Sequence, residues 1–150
     1  MACVRSLALA GATKVPSLWA LTCEAIELGV YRREEDGRIT GAFHKPLIAL
    51  LQRFGIQAAL LRHAGESCIW KLSKSHPIIL SIDLAAAGCG QGGHLILVVG
   101  RSDKTGTYEI HDNASVIATD GASCWVTRTK MAQISNGKGL VIESMPERAK

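Results

Sequence analysis

Apolar and polar positions along this 150-residue chain alternate in two different ways. In the first third they recur at helical spacing, and beyond it they gather into short, β-branched runs bounded by glycine and proline. Cys3-Val4-Arg5-Ser6-Leu7-Ala8-Leu9-Ala10 has apolar residues at 4, 7, 8 and 10 and stops at Gly11, which predicts a first helix with Cys3 at or just before its start. Pro16-Ser17 opens a second helix. Ser17 suits the N-cap, Trp19, Leu21, Cys23, Ala25, Ile26 and Leu28 come after it, and Gly29 suits the C-cap. Cys23 lies among apolar neighbours there and reads as core. Arg32-Arg33-Glu34-Glu35-Asp36-Gly37 reads as a solvated, mixed-charge loop. A third helix is expected over 46–54, with Pro46 in its first turn, a stripe of Leu47, Ile48, Leu50, Leu51 and Phe54, and Gly55 at its end. His44, just before it, reads as a surface or capping residue.

Strands dominate the rest of the chain. One is expected over 56–61, and the polar segment 63–76 around Cys68 and Trp70 has room for a short helix. Pro77-Ile78-Ile79-Leu80-Ser81-Ile82-Asp83-Leu84 reads as a buried strand that pairs with 95–100 across a loop at 85–93. The second of these, Gly92-Gly93-His94-Leu95-Ile96-Leu97-Val98-Val99-Gly100, places a histidine at the mouth of the most apolar run in the chain. Arg101-Ser102-Asp103-Lys104-Thr105-Gly106 has the composition of a hairpin loop leading into Thr107-Tyr108-Glu109-Ile110 and then His111-Asp112-Asn113. After Asn113 the pattern loosens: Cys124-Trp125 sits in a polar stretch, 127–133 suits a short helix, and Gly139-Leu140-Val141-Ile142-Glu143 reads as a last strand before a frayed tail from Met145. No internal repeat or linker interrupts the chain. Helices first and a mainly antiparallel sheet afterwards describe a single α+β domain spanning 1–150.

Composition narrows the classes. The net charge is only +4 and aromatic residues make up 5% of the chain, so a nucleic-acid surface is not expected. No run approaches the ~18 apolar residues of a membrane span. The first twelve residues lack a charged leading region and a cleavage site, so no signal peptide is expected. Five cysteines without a C-x-x-C pair fit unpaired thiols in a reducing, cytoplasmic compartment.

Nucleophilic chemistry needs a thiol or hydroxyl, a base for its proton, and a group that fixes the base. If the two hairpin strands pair antiparallel, His94 and Asp112 meet at one end as base and orienter. Two thiols are candidates for the nucleophile. Cys89, in Gly88-Cys89-Gly90-Gln91-Gly92-Gly93, is near His94 in sequence but lies in the same loop. Cys3 has a helix start, where the dipole favours thiolate and backbone N–H groups serve an oxyanion. A rival reading takes Cys89, His94 and His111 as metal ligands, although Cys-x4-His before a strand is irregular for zinc. No other metal, nucleotide or cofactor signature is present.

The order of these pieces resembles the bacteriocin-processing, double-glycine-type cysteine peptidases and their standalone relatives, which are papain-like. The resemblance runs through Cys-x-x-Ser-Leu-Ala at 3–8, Pro16-Ser17, Phe54-Gly55-Ile56, Pro77-Ile78-Ile79-Leu80, Gly93-His94 with its aliphatic run to Gly100, Asp112-Asn113, and Trp125 followed by Gly137-Lys138-Gly139-Leu140-Val141-Ile142. It implies a papain-like fold with Cys3 as nucleophile, His94 as base and Asp112 as orienting acid. Three features depart from the family pattern. Val4 and Arg5 follow the cysteine in place of small residues, Asn113 follows Asp112 in place of proline, and only Met1 and Ala2 stand where the family has an upstream oxyanion-hole glutamine. Gln91 is a candidate substitute donor.

The resulting expectation is a cysteine peptidase that removes a leader from a peptide precursor, with small residues before the cut. Its expected partners are that precursor and a peptide exporter or biosynthetic enzyme. The same three residues would also serve acyl transfer or cyclisation. A different class of reading is a peptidase-like module that binds a leader or partner peptide without cutting it.

Overall fold

The computed structural model describes residues 1–11, 17–112, 117 and 123–146. Pro16 and Asn113, which contribute to the sequence pattern above, lie outside them. The described chain is a mixed α+β protein with six helices and eight strands. It divides into two compact units, one formed by Met1–Leu60 with the chain from Glu143 on, the other by Leu61–Ile142. No helix among the described residues is long and apolar enough to cross a membrane.

In the first unit, α1 (Ala2–Gly11) buries Cys3, Val4, Leu7 and Ala8, which recur at helical spacing and so lie along one face. Helix α2 (Leu18–Glu27) starts as its sequence dictates: the Ser17 side chain accepts from the Ala20 N–H at 3.1 Å, and Gly29 beyond its end takes a φ of +73°. Leu21 and Ala25 are buried in it, whereas Leu18, Trp19 and Ile26 are exposed. Cys23, read as core, is only half-buried, because it lies toward the Trp19 and Ile26 side of that helix.

The charged segment read as a loop is instead a hairpin. Strand β1 (Tyr31–Arg33) pairs antiparallel with β2 (Ile39–Gly41), and the turn carries Asp36 and Gly37. Charged side chains hid it, since both faces of so short a ribbon tolerate them. Helix α3 (His44–Gln52) begins two residues earlier than expected, with Phe43 rather than His44 at its N-cap. It buries Leu47, Leu50 and Leu51, and β3 (Gln57–Leu61) comes next.

The second unit is a sheet with short helices. Its strands β4 (Ile78–Asp83), β5 (Gly93–Ser102), β6 (Thr107–His111), β7 (Ser123–Thr127) and β8 (Ser135–Ser144) run in the order β8-β4-β5-β6-β7, with each neighbouring pair antiparallel. Helices α4 (Glu66–Leu72), α5 (Leu84–Ala87) and α6 (Arg128–Ile134) connect them. Ile78, Leu80, Ile82, Ile96, Val98, Tyr108, Ile110 and Val126 alternate along successive strands, and with Ile69, Met131 and Ile134 they form one apolar cluster. Ile79 and Leu97, on the alternate positions, are buried as well, which is why these strands read as unbroken apolar runs. Gly139 lies opposite Leu80, and a Cβ there would run into the Ile79 carbonyl oxygen, so only glycine allows β8 this close to β4.

The expected strand at 139–143 is therefore the end of a longer one. Strand β7 was not expected, and its pairing with β6 from Thr107↔Thr127 to His111↔Ser123 turns a loosely patterned, polar stretch into a sheet edge. Its burial alternates, with Val126 inside and Ser123, Trp125 and Thr127 outside, a pattern that one inward apolar residue is too few to announce.

Candidate functional site

His94 is the second residue of β5, paired with Ile82 of β4. The β5–β6 hairpin aligns Leu97 with His111, so the antiparallel direction carries the chain past His111 toward the start of β5. Asp112 is the first residue beyond β6 in that direction. A register shift between Val98 and Gly100, a β-bulge, lies between this end of the hairpin and its turn.

The two side chains meet. His94 Nε2 lies 2.8 Å from Asp112 Oδ1, the imidazole keeps 21% of its surface exposed, and the carboxylate is fully buried. Asp112 Oδ2 accepts a second hydrogen bond, 2.6 Å from the Ile117 backbone N–H. A carboxylate with one oxygen on a backbone amide cannot swing away, so it fixes both the imidazole ring and its tautomer: the proton sits on Nε2 and the lone pair on Nδ1. The ring nitrogen available to a reacting group is therefore Nδ1.

Cys3 belongs to the first unit. It is the second residue of α1, 8% exposed, within the turn where the positive end of the helix dipole is felt. Two polar groups surround this helix start. The Met1 nitrogen lies 3.5 Å from the Tyr31 hydroxyl, and Cys3 interacts electrostatically with both. Burial, and secondarily the charge of ionised Cys3, pushes the Tyr31 phenol above its usual range. Burial pulls the Met1 amino group below its ordinary value, an effect that the Cys3 charge partly opposes.

Cys89 sits in the exposed loop after α5, its Sγ 3.6 Å from the Ala87 carbonyl oxygen. The segment expected as a loop at 85–93 begins with part of a short helix: Asp83 caps α5 by accepting from the Ala85 N–H at 2.8 Å, and Gly88 ends it with a φ of +79°. Gln91, Gly90 and Gly92 are all exposed. His111 stays in β6 opposite Leu97. Among the described residues no three His, Cys, Asp or Glu side chains are grouped to hold a metal ion, so Cys89, His94 and His111 do not assemble as the metal reading requires.

A second polar cluster lies at the other end of the same hairpin and was not anticipated. Glu66 of α4 receives Arg128 Nε and Nη2 at 2.7 Å each and the Tyr108 hydroxyl at 2.8 Å. Arg101 and Arg128 each lie 4.6 Å from the centre of the Trp70 ring, and Tyr108 meets that ring edge-on at 5.0 Å. The Arg128 guanidinium holds the Glu66 carboxyl below its usual value, and burial together with Glu66 drives the Tyr108 phenol far up. Every charge here already has its counterpart. No local signal could have shown it, because Glu66 and Arg128 are 62 residues apart.

No protein-family model matches this chain, and no curated protein matches it in sequence.

Proposed function

We propose that this chain is a papain-like cysteine peptidase-type domain acting on a peptide precursor, with Cys3 as nucleophile, His94 as general base and acid, and Asp112 as the orienting carboxylate. One observation supports the reading: the buried Asp112 carboxylate bonds His94 through Nε2, which leaves the basic lone pair on Nδ1. The position of Cys3 in the first turn of α1 supports the same reading, since a thiol there ionises more readily.

In this mechanism Nδ1 of His94 takes the Cys3 proton and the thiolate attacks the scissile carbonyl. The tetrahedral intermediate collapses as the imidazolium returns that proton to the leaving amine, leaving an acyl-enzyme. Water, deprotonated by the same imidazole, releases the acid and restores the thiol. The sequence resemblance supplies the substrate class, a precursor with a leader that ends in small residues, and the partners, a peptide exporter or a biosynthetic enzyme.

The test is the alkylation rate of each cysteine by iodoacetamide near pH ~6, resolved by peptide mass spectrometry, in the wild type and in His94→Ala. An ordinary thiol of pKa ~8.5 is almost wholly protonated there. Cys3 is expected to react far faster than the other cysteines and to lose that advantage without His94. Uniformly slow labelling refutes the Cys–His pair. Product mass then separates hydrolysis, which adds water, from cyclisation of an intact chain, which loses it.

A further inference from the structure

The sheet of the second unit ends on β7, and no described strand pairs with the far side of it. In an antiparallel ladder only every second residue turns its N–H and C=O toward a given neighbour, so the others on β7 point off the sheet. Such an edge accepts a further strand, and proteins commonly blunt it with a lysine, a proline, an inward charge or a bulge. Ser123-Cys124-Trp125-Val126-Thr127 has no charge and no proline. Its five pairs with β6, from Thr107↔Thr127 to His111↔Ser123, run without a register shift. At its midpoint Trp125 is 57% exposed, with exposed Ser123 and Thr127 on the same face. On the other face Val126 is buried, and half-buried Cys124 packs against the apolar cluster.

The strand itself indicates what fits this edge. Its residues are symmetric in kind about Trp125: the hydroxyls of Ser123 and Thr127 stand two positions away, and the small apolar side chains of Cys124 and Val126 one position away. An antiparallel copy related by a two-fold axis at residue 125 sets Ser123 against Thr127, Cys124 against Val126, and Trp125 against itself. Hydroxyl then meets hydroxyl on one face, apolar meets apolar on the other, and the two indoles meet across the axis. No charges oppose each other along the strand. Glu109, the carboxylate opposite Trp125 on β6, stands three strand spacings from its copy, about 14 Å, beyond the screening length at physiological salt.

We propose that β7 is an interface between two copies of this chain, which pair edge to edge about a two-fold axis at Trp125 and join their sheets. The pairing does not depend on the chemistry proposed above. Ser123 lies opposite His111, one residue from Asp112, and in this register it faces Thr127 of the second copy. The two His94–Asp112 pairs therefore stand at opposite ends of the joined strands, and each copy keeps its own.

The experiment is sedimentation equilibrium of the full chain from micromolar to millimolar concentration, for wild type and Trp125→Lys. The wild type is expected to show a mass that rises toward twice that of one chain. Trp125→Lys opposes two ammonium groups across the axis and is expected to stay monomeric, with its far-ultraviolet circular dichroism unchanged. A wild type that remains monomeric leaves the edge to some other strand and overturns the proposal, as does a folded Trp125→Lys chain that dimerises equally well.

Hydrogen exchange in the wild type needs no variant. The amides of 123–127 that point off the edge are expected to be protected at high concentration and to exchange freely at low concentration, whereas β5 stays protected at both. Exchange at β7 that is independent of concentration refutes the interface. The register is tested by mild oxidation of Ser123→Cys chains mixed with Thr127→Cys chains. Links from 123 to 127 are expected in several-fold excess over links from 123 to 123, because the latter residues stand about 13 Å apart, past the reach of a disulfide. Equal yields overturn the two-fold register.

Discussion

The β5–β6 hairpin carries a polar cluster at each end, and the two are built on opposite terms. At one end His94 Nε2 meets Asp112 Oδ1 at 2.8 Å, and the imidazole keeps part of its surface exposed. At the other, Glu66 accepts three hydrogen bonds from Arg128 and Tyr108, and two guanidiniums close over the Trp70 ring. Arg101 is further tied to the Trp70 carbonyl oxygen and to Asp103. The second cluster joins α4, β5, β6 and α6 and pairs each of its charges with an opposite one, so it holds elements together. The first leaves a basic lone pair where a proton can be moved. Paired charges tie elements together, whereas a rigidly held base with a lone pair is what proton transfer needs.

If this contrast is right, substitutions at the two ends have separable effects. The largest is expected at the open end. Asp112→Asn lets His94 adopt the wrong tautomer and is expected to cost about ten-thousandfold in turnover, measured with a cleavable peptide. Its melting temperature should move by only a few degrees, because the amide oxygen still accepts from the Ile117 N–H. A comparable loss of stability instead would make Asp112 a structural residue.

At the closed end the expected effect is on stability alone. Glu66→Gln weakens two charge-assisted bonds and is expected to cost about 1.5–3 kcal/mol in chemical denaturation at neutral pH, with Cys3 labelling unchanged. The pH dependence gives the sign. The Glu66 carboxyl titrates below its ordinary value of 4.5 in the folded chain, chiefly because Arg128 bonds it. The folded state then binds fewer protons than the unfolded chain just below that value. This contribution is fully present above about pH 4.5 and is lost as pH falls through the folded pKa. Glu66→Gln should flatten that acid limb, and an unaltered limb would show that other carboxylates set it.

Smallest of the three, Tyr108→Phe removes one neutral donor from a fully buried ring and is expected to cost about 1 kcal/mol. The Trp70 contact survives it, so near-ultraviolet circular dichroism should keep its aromatic signature.

Much of the frame is legible in the residues themselves. Ser17 and Gly29 bound α2 because a hydroxyl satisfies a first-turn amide and glycine alone enters the left-handed region without cost. The apolar runs at 78–82 and 95–99 give β4 and β5, and the glycine-containing loop between 101 and 106 gives the hairpin that brings Asp112 toward His94. These are short-range effects of backbone dihedrals and burial, and they travel with the local sequence.

Other features had no local voice. The charged ribbon β1–β2, the edge strand β7 and the early residues of β8 are strands because a neighbour's backbone pairs with them, and their side chains carry only part of the alternating pattern. The Glu66–Arg128 pair, the ring of Tyr31 set on Gly41, and the choice of Nε2 rather than Nδ1 for Asp112 depend on where distant segments meet. Residue identity by itself determined which side chains were available for chemistry: a thiol at a helix start, an imidazole at a strand mouth, a carboxylate beyond the hairpin. Only the tertiary structure decided which nitrogen, which oxygen and which hydroxyl face one another, because a hydrogen bond is fixed by tenths of an ångström and a sequence pattern only by residue spacing.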